Sequence, residues 1–333
     1  LCLFWTLGLI VFPAGGCDRT SSSHPSTLHG PVRSSTDSAK SVGTTPQTDR
    51  PVILRDWPAE PEVDPSEREA PDLRIVAGAP SVTEICCALG LRDRLVARTR
   101  FCNHPPGVEQ VPAFGALVDT NIELLLERKP DLILLSGHSR MLFDRLAPLG
   151  VRLESVPDGS AEDVFRAIEQ IGRLTGRPKT AQRLVESLRR ELKEVAEAFR
   201  GSPARRVLIL TGTLSSPPSP PFVAGPGSFY DDALRLVGHR NAAPADGPAY
   251  GMLSLESILK ADPEVIIELD AVGLARPGGD AEALAAWSAV GPLQAVAGGR
   301  VHVVVGPHCF VPGPRIAQTF YAICRAIARS QHE

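Results

Sequence analysis

The chain has 333 residues, a formal net charge of −3, and only 5% aromatic side chains. That length leaves room for two separate cores, and intermixed acids and bases without a basic stripe exclude a nucleic-acid partner as the leading reading. With so few aromatics, each one that falls in a loop gains weight as a ligand contact.

Residues 1–16 read as a secretory signal peptide. Their apolar run is too short to span a bilayer and ends in the small residues Ala14-Gly15-Gly16, as a cleavage site requires. Cys17, directly after the glycines, reads as the lipid-attachment residue of an exported lipoprotein. Residues 17–72 are rich in Ser, Thr, Pro, Asp and Glu with no sustained period, the composition of a disordered tether between anchor and folded body.

An N-terminal α/β lobe is expected over residues 73–176. Strands at 73–77, 95–97, 131–135 and 151–156 alternate with helices at 82–89, 122–128 and 141–146, the pattern of a parallel sheet covered by helices. Ser81-Val82-Thr83-Glu84 has capping-box spacing for the first helix. Residues 161–200 are helical throughout except at Gly176-Arg177-Pro178. The piece over 177–200 carries Leu184, Leu188, Leu192 and Val195 on one stripe and spans roughly 30 Å, suiting a strut between lobes. A second α/β lobe follows over 201–333, with strands at 206–210, 222–224, 264–269 and 300–305 and a closing helix over 315–329. The fold class is therefore α/β: two Rossmann-like lobes with parallel sheets, one bridging helix, and a ligand cleft between them.

The lobes share a repeat. Asn121-Ile122-Glu123, a short apolar helix, Pro130 and a strand return 133 positions later as Ser254-Leu255-Glu256, a helix, Pro263 and a strand. That separation is far beyond a solenoid period. A first-turn acid is favoured by the helix dipole by about 0.3–1 kcal/mol, which accounts for Glu123 or Glu256 singly and less well for both at one offset.

No G-x-G-x-x-G, Walker A, G-x-S-x-G or H-E-x-x-H motif is present, so the reading is a binding protein and not an enzyme. In open α/β sheets ligands sit beyond the carboxyl ends of the strands. Here those loops hold Arg100-Phe101-Cys102-Asn103-His104-Pro105-Pro106, Ser136-Gly137-His138, a proline-rich stretch ending at Phe222, and His308-Cys309-Phe310 leading to Arg315. His104, His138 and His308 with Cys102 and Cys309 form a possible soft-ligand set for zinc or a haem iron, against the alternative that they cap backbone or face solvent. Arg315 is either an anion contact or a solvated cation. Cys86, Cys87, Cys102, Cys309 and Cys324 lie beyond the leader, an odd number, and no C-x-x-C occurs.

Taken in order, several motifs resemble the periplasmic binding proteins for cobalamin, iron-siderophores and haem that feed ABC importers. They are Ser81-Val82-Thr83-Glu84, the Asn103-His104-Pro105-Pro106 loop, Lys129-Pro130-Asp131-Leu132-Ile133, Gly227-Ser228-Phe229 and Pro312-Gly313-Pro314-Arg315. The resemblance covers about residues 73–330. It implies two lobes on one long helix, no cofactor beyond the transported ligand, and a permease dimer docked through Glu123 and Glu256. Ligand-lining positions under it are His104, Phe114, Gly115, His138, Phe222, Tyr250, His308, Phe310 and Arg315. It also implies a monomer outside the cytoplasm, held at the membrane by its lipid anchor. Cobalamin ranks ahead of a ferric siderophore and haem third. A zinc- or manganese-binding transport protein is the nearest rival, and a chelatase-type enzyme the more distant one.

Overall fold

The computed structural model describes residues 62–69, 71–116, 119–137 and 139–329, and every structural statement below concerns these. Cys17 and His138 lie outside them.

The N-terminal lobe contains β1 (Ile75–Ala77), α1 (Pro80–Ala88), β2 (Leu95–Arg98), α2 (Ile122–Glu127), β3 (Leu132–Ser136), α3 (Arg140–Leu146), β4 (Leu153–Val156) and α4 (Ala161–Leu174). Its four strands are parallel in the order β2-β1-β3-β4. β1 and β3 are fully buried, which is why they read as continuous apolar runs and not as alternating ones.

After the break at Gly176 the chain enters α5 (Pro178–Ala198). The second lobe holds β5 (Arg206–Leu210), β6 (Phe222–Ala224), α6 (Phe229–Leu236), β7 (Arg240–Asn241), β8 (Tyr250–Met252), α7 (Leu255–Ala261), β9 (Val265–Asp270), α8 (Gly279–Ser288), α9 (Gln294–Ala297), β10 (Val301–Val305) and α10 (Ile316–Arg329). Its sheet runs β10-β9-β5-β6-β8, with β7 beside β5. Contrary to the expectation of a wholly parallel sheet, β6 is antiparallel to both its neighbours. Pro217, Pro218, Pro220 and Pro221 exclude a crossover helix between β5 and β6, so the chain turns straight back.

The largest core cluster runs through both lobes. α5 packs on α4 in one and on α10 in the other, with Val185, Leu188, Leu192 and Val195 buried along its stripe. The opposite face of each sheet carries its own smaller core. In the first lobe that core includes Leu125 of α2 with Leu142 and Leu146 of α3. In the second it includes Ile258 of α7 with Ala283 and Trp287 of α8.

Residues 62–69, which fall within the stretch expected as tether, pack on the strut. Pro65–Glu67 form a 3-10 turn, and the Glu67 carboxylate accepts bonds from Lys179 N (2.5 Å), Thr180 N (3.1 Å) and Thr180 Oγ1 (2.7 Å). A carboxylate there satisfies open backbone donors at the start of α5 and complements its dipole. Asp64 adds an ion pair to Arg183. The strut is thus capped from a distant segment, for Arg177 at its own N-cap makes no side-chain cap bond.

The internal repeat extends into hydrogen bonding. Arg74 donates to the carbonyls of Arg128 (2.9 Å) and Lys129 (3.1 Å), and its own N–H donates to Asp131 (2.8 Å). In the second copy Arg206 donates to Ala261 (2.5 Å) and Asp262 (2.8 Å), and its N–H to Glu264 (3.0 Å). Each clamped helix ends in a left-handed non-glycine residue, Lys129 (φ 46°) or Asp262 (φ 42°), directly before its proline. An uncommon backbone conformation persists where its surroundings over-determine it, and here an arginine does so twice.

Candidate functional site

The carboxyl ends of the first lobe's strands and the 306–315 segment of the second meet around one ion pair. Arg315 Nε lies 3.0 Å from Glu84 Oε2 and Nη2 lies 2.5 Å from Oε1, with both side chains buried. The two residues belong to different lobes. The backbone at Gly313 runs beside the pair, a Cβ there falling in ordinary contact range, 3.7 Å, of both Glu84 Oε2 and Ser81 Cα. Burial pushes the Glu84 carboxyl up, while the two bonds from Arg315 and its charge act against that. Two expectations change here. Arg315 is committed to Glu84 and is not presented to a ligand as a free cation. Glu84 closes no capping box, because Ala79 is the N-cap of α1 and makes no side-chain bond, with Pro80 after it.

Two histidines flank the pair. His104, half-buried in the loop after β2, is pushed down to about 4 by burial first and then by the nearby charges of Arg315, Arg92 and His308. His308 is pushed down by burial and by Arg315. Both imidazoles are therefore neutral at physiological pH, the form that ligates a metal centre or accepts a hydrogen bond. Among the described residues no three His, Cys, Asp or Glu side chains assemble into a metal site. Cys102 and Cys309 are free and buried, and their thiols are pushed up by burial, Cys309 to about 12.

A second cross-lobe junction lies beside α6. Asp232 accepts the Ala161 N–H at 2.8 Å, joining the start of α4 to the second lobe. Tyr250 stands here half-buried, its hydroxyl accepting from Phe229 N at 3.2 Å. Burial pushes that phenol up, as do the charges of Asp158, from the first lobe, and Asp232. Tyr230 donates to the Cys309 carbonyl at 2.6 Å, and Phe229 stacks edge-on against Tyr230 and Phe320. This aromatic block ties the His308–Phe310 turn to α6. Phe222 and Phe310 are half-buried.

Phe114 is not a lining residue. It is 1% exposed and packs with Val76, Ala97, Leu125 and Ile133, because its strand-like segment pairs beside β2 and turns the ring inward. Gly115 serves the same segment: at φ 105° a Cβ would strike the Asp119 carbonyl at 2.6 Å, so its role is the turn. Phe101, in the same loop as His104 but outside the ligand-lining set, is exposed at 37% with the Arg100 guanidinium 5.3 Å from its ring centroid.

Glu123 and Glu256 are exposed in the first turns of α2 and α7. Asn121 and Ser254 cap those helices, accepting from Leu124 N (2.9 Å) and Ser257 N (3.1 Å). Among the described residues neither glutamate has an ion-pair partner, so both carboxylates face water.

The two-lobed architecture on a single strut, with a site at the lobe junction, defines a class of bilobal binding proteins. A family model described as "Periplasmic binding protein" matches residues 75–304, and the chain belongs to that family. It is 31% identical over 207 residues to YvrC of Bacillus subtilis (strain 168), an uncharacterized ABC transporter substrate-binding lipoprotein, covering 60% of this chain and 64% of that one. It therefore spans just under two thirds of that relative's length. A vitamin B12-binding protein of Photorhabdus laumondii is 23% identical over 200 residues, covering 60% of this chain and 71% of the other. Among solved structures, a periplasmic heme-binding protein from Pseudomonas aeruginosa superposes with a TM-score of 0.65 at 25% identity, covering 78% of this chain and 93% of that chain. No helix among the described residues is long and apolar enough to cross a membrane.

Proposed function

We propose that this chain is the substrate-binding component of an ABC importer, capturing a metal-bearing macrocycle or chelate between its lobes and handing it to a permease. The observation that carries the reading is the placement of two histidines, His104 and His308, from different lobes, close enough to the buried Glu84–Arg315 pair to feel the Arg315 charge. Two neutral imidazoles and the half-buried Tyr250, Phe222 and Phe310 suit a large, partly apolar ligand with a metal at its centre. Cobalamin stands first, in line with the vitamin B12-binding relative, and a ferric siderophore second. Haem is the alternative favoured by a specific feature, since a neutral histidine is a ready axial ligand to its iron. The protein acts outside the cytoplasm, with Cys17 as its lipid-attachment site.

The delivery step rests on Glu123 and Glu256. Two exposed carboxylates at equivalent places on matched lobes suit a two-fold symmetric partner and steer its approach electrostatically. Titration of the purified protein with cyanocobalamin, ferrichrome and haemin tests the capture reading, followed by calorimetry and by the Soret band for haemin. Saturable one-to-one binding of one of the three is expected. Failure of all three to bind would overturn it.

A further inference from the structure

The second lobe carries an exposed apolar patch beside His308. Val305, the last residue of β10, is 53% exposed, and the loop after β9 presents Val272 and Leu274 at 59% and 77%. Backbone pairing and close approach join these into one surface. Val305 pairs with Asp270, the last residue of β9. The Gly306 N–H, next along, donates to the Asp270 carbonyl at 2.9 Å. A Cβ on Gly273 would lie 3.3 Å from Val305 Cγ1, and one on Gly306 would come within 2.6 Å of His308 Nδ1. The imidazole therefore rests against the backbone that directly follows Val305, on the segment that runs on to Arg315.

The loop is fixed from beneath. Asp270, wholly buried, accepts from the N–H groups of Val272 (3.1 Å), Gly273 (3.0 Å), Ala275 (3.0 Å) and Arg276 (3.2 Å). The Arg276 guanidinium is bound to Glu268, also wholly buried, at 2.9 Å, and Glu268 accepts from Trp287 Nε1 at 2.9 Å. Burying two carboxylates is costly unless donors meet them, and here backbone, guanidinium and indole N–H groups do, so the turn holds one shape. A preformed apolar surface loses little entropy when it is covered. β9 and β10 are parallel, and the patch stands at their carboxyl ends. That is the end at which open α/β sheets take their ligands, and the end from which the 306–315 segment reaches Glu84.

From this we infer that Val272, Leu274 and Val305 form an apolar shelf for the ligand beside His308, and that the ligand is a tetrapyrrole whose alkyl-bearing ring edge rests on it. The inference rests on the capture reading above and narrows its ligand class. A ring edge carrying methyl and other alkyl groups gains by leaving water in proportion to the area covered. A hydroxamate chelate such as ferrichrome offers an amide-rich periphery, whose hydrogen bonds to water three aliphatic side chains cannot replace. Cobalamin and haem share the required edge. The shelf therefore sorts tetrapyrroles from hydroxamate chelates and does not choose between those two.

Calorimetry of the full chain with cyanocobalamin, haemin and ferrichrome at several temperatures tests this, in the parent and in Val272→Ser combined with Leu274→Ser. The parent is expected to bind one of the tetrapyrroles, which identifies the one it takes, and not ferrichrome. The double variant should bind that tetrapyrrole about tenfold more weakly at an unchanged melting temperature. Its heat-capacity change on binding should also be less negative, the mark of apolar area no longer buried. Leu274→Ser alone, at the most exposed of the three positions, should move affinity and heat capacity in the same direction, and it decides the matter if the double variant melts early. Equal tetrapyrrole affinity in the parent and the variants overturns the inference and leaves the capture reading standing, as does ferrichrome bound as tightly as either tetrapyrrole. Failure of all three to bind overturns the capture reading itself.

Discussion

Arg315 and Glu84 stand 231 positions apart and form a two-pronged buried ion pair across the lobes, at 3.0 and 2.5 Å. The pair helps to fix the opening between lobes that α5 alone would leave to one helix. Removing one partner leaves the other charge buried and uncompensated, at a cost of about 3–5 kcal/mol, whereas an apolar replacement of both is often close to neutral. Glu84→Ala and Arg315→Ala should each lower the denaturation midpoint sharply. Glu84→Leu with Arg315→Met should recover most of the loss. A double variant as unstable as the sum of the singles would show that the pair does not act as a unit.

The clasp on the strut predicts a pH effect. Burial acts to raise the Glu67 carboxyl, but the bonds from Thr180 and Lys179 outweigh it and hold it below its ordinary value of 4.5. The unfolded chain then binds the proton more readily than the folded one. Stability from Glu67 is therefore present above pH 4.5 and is lost as pH falls through the lowered folded value. Glu67→Gln should flatten that part of the acid limb. Glu67→Ala should also cost about 0.5–2 kcal/mol at neutral pH, as loss of a helix cap does. Urea melts between about pH 3 and about pH 7 measure both.

His104 gives a contribution of opposite origin in a neighbouring window. Its folded value is pushed down to about 4 from 6.5, so between those limits the unfolded state carries the extra proton. Folding is then penalised progressively as pH falls from 6.5 towards 4. His104→Asn should reduce that loss, and the His104 ring resonances should stay in their neutral positions at pH 5.5. A titration midpoint near 6.5 would refute the buried, cation-flanked environment described for it.

How much of this was legible in the chain follows from where its physics is local. Apolar runs and breaks marked the fully buried β1, β3 and β9 and the stripe on α5, since burial and period act along the sequence. β7 and β8 were invisible because two or three residues carry no period, and the reversal of β6 comes from the prolines before it. The site was harder. Nothing in Ser81-Val82-Thr83-Glu84 indicates that Glu84 will bond Arg315 and not its own helix start, because burial of both is decided by the other lobe. Only the family resemblance puts Phe114 at the ligand, and its pairing beside β2 shows why it faces inward. Arg74 and Arg206 stand one strand before each repeat but 132 positions apart, one short of the repeat's offset, so only the structure shows them as equivalents.

Those arginines carry their own prediction. Each donates to carbonyls at the end of its helix, 2.6–3.1 Å away for Arg74 and 2.5–2.8 Å for Arg206. Loss of such bonds costs about 1 kcal/mol apiece at an accessible site. Arg74→Ala should speed amide exchange at the end of α2 and leave α7 protected, and Arg206→Ala should do the reverse. Equal effects on both helices from either variant would indicate general loosening and not a local clamp.

The docking reading is tested by charge. Glu123 and Glu256 are exposed at the starts of α2 and α7, elements other than the loops that carry His104 and His308, so reversing their charge should not disturb capture. Glu123→Arg with Glu256→Arg should abolish delivery to the permease while leaving the ligand dissociation constant and the melting temperature unchanged. Each single reversal should weaken complex formation by a similar factor, because the two helices are built alike from cap to clamp. The loss should also lessen at high salt, where screening weakens both the attraction in the parent and the repulsion in the variant. Unimpaired uptake by the double variant would remove these carboxylates from the interface, and unequal single variants would show that one lobe dominates the contact.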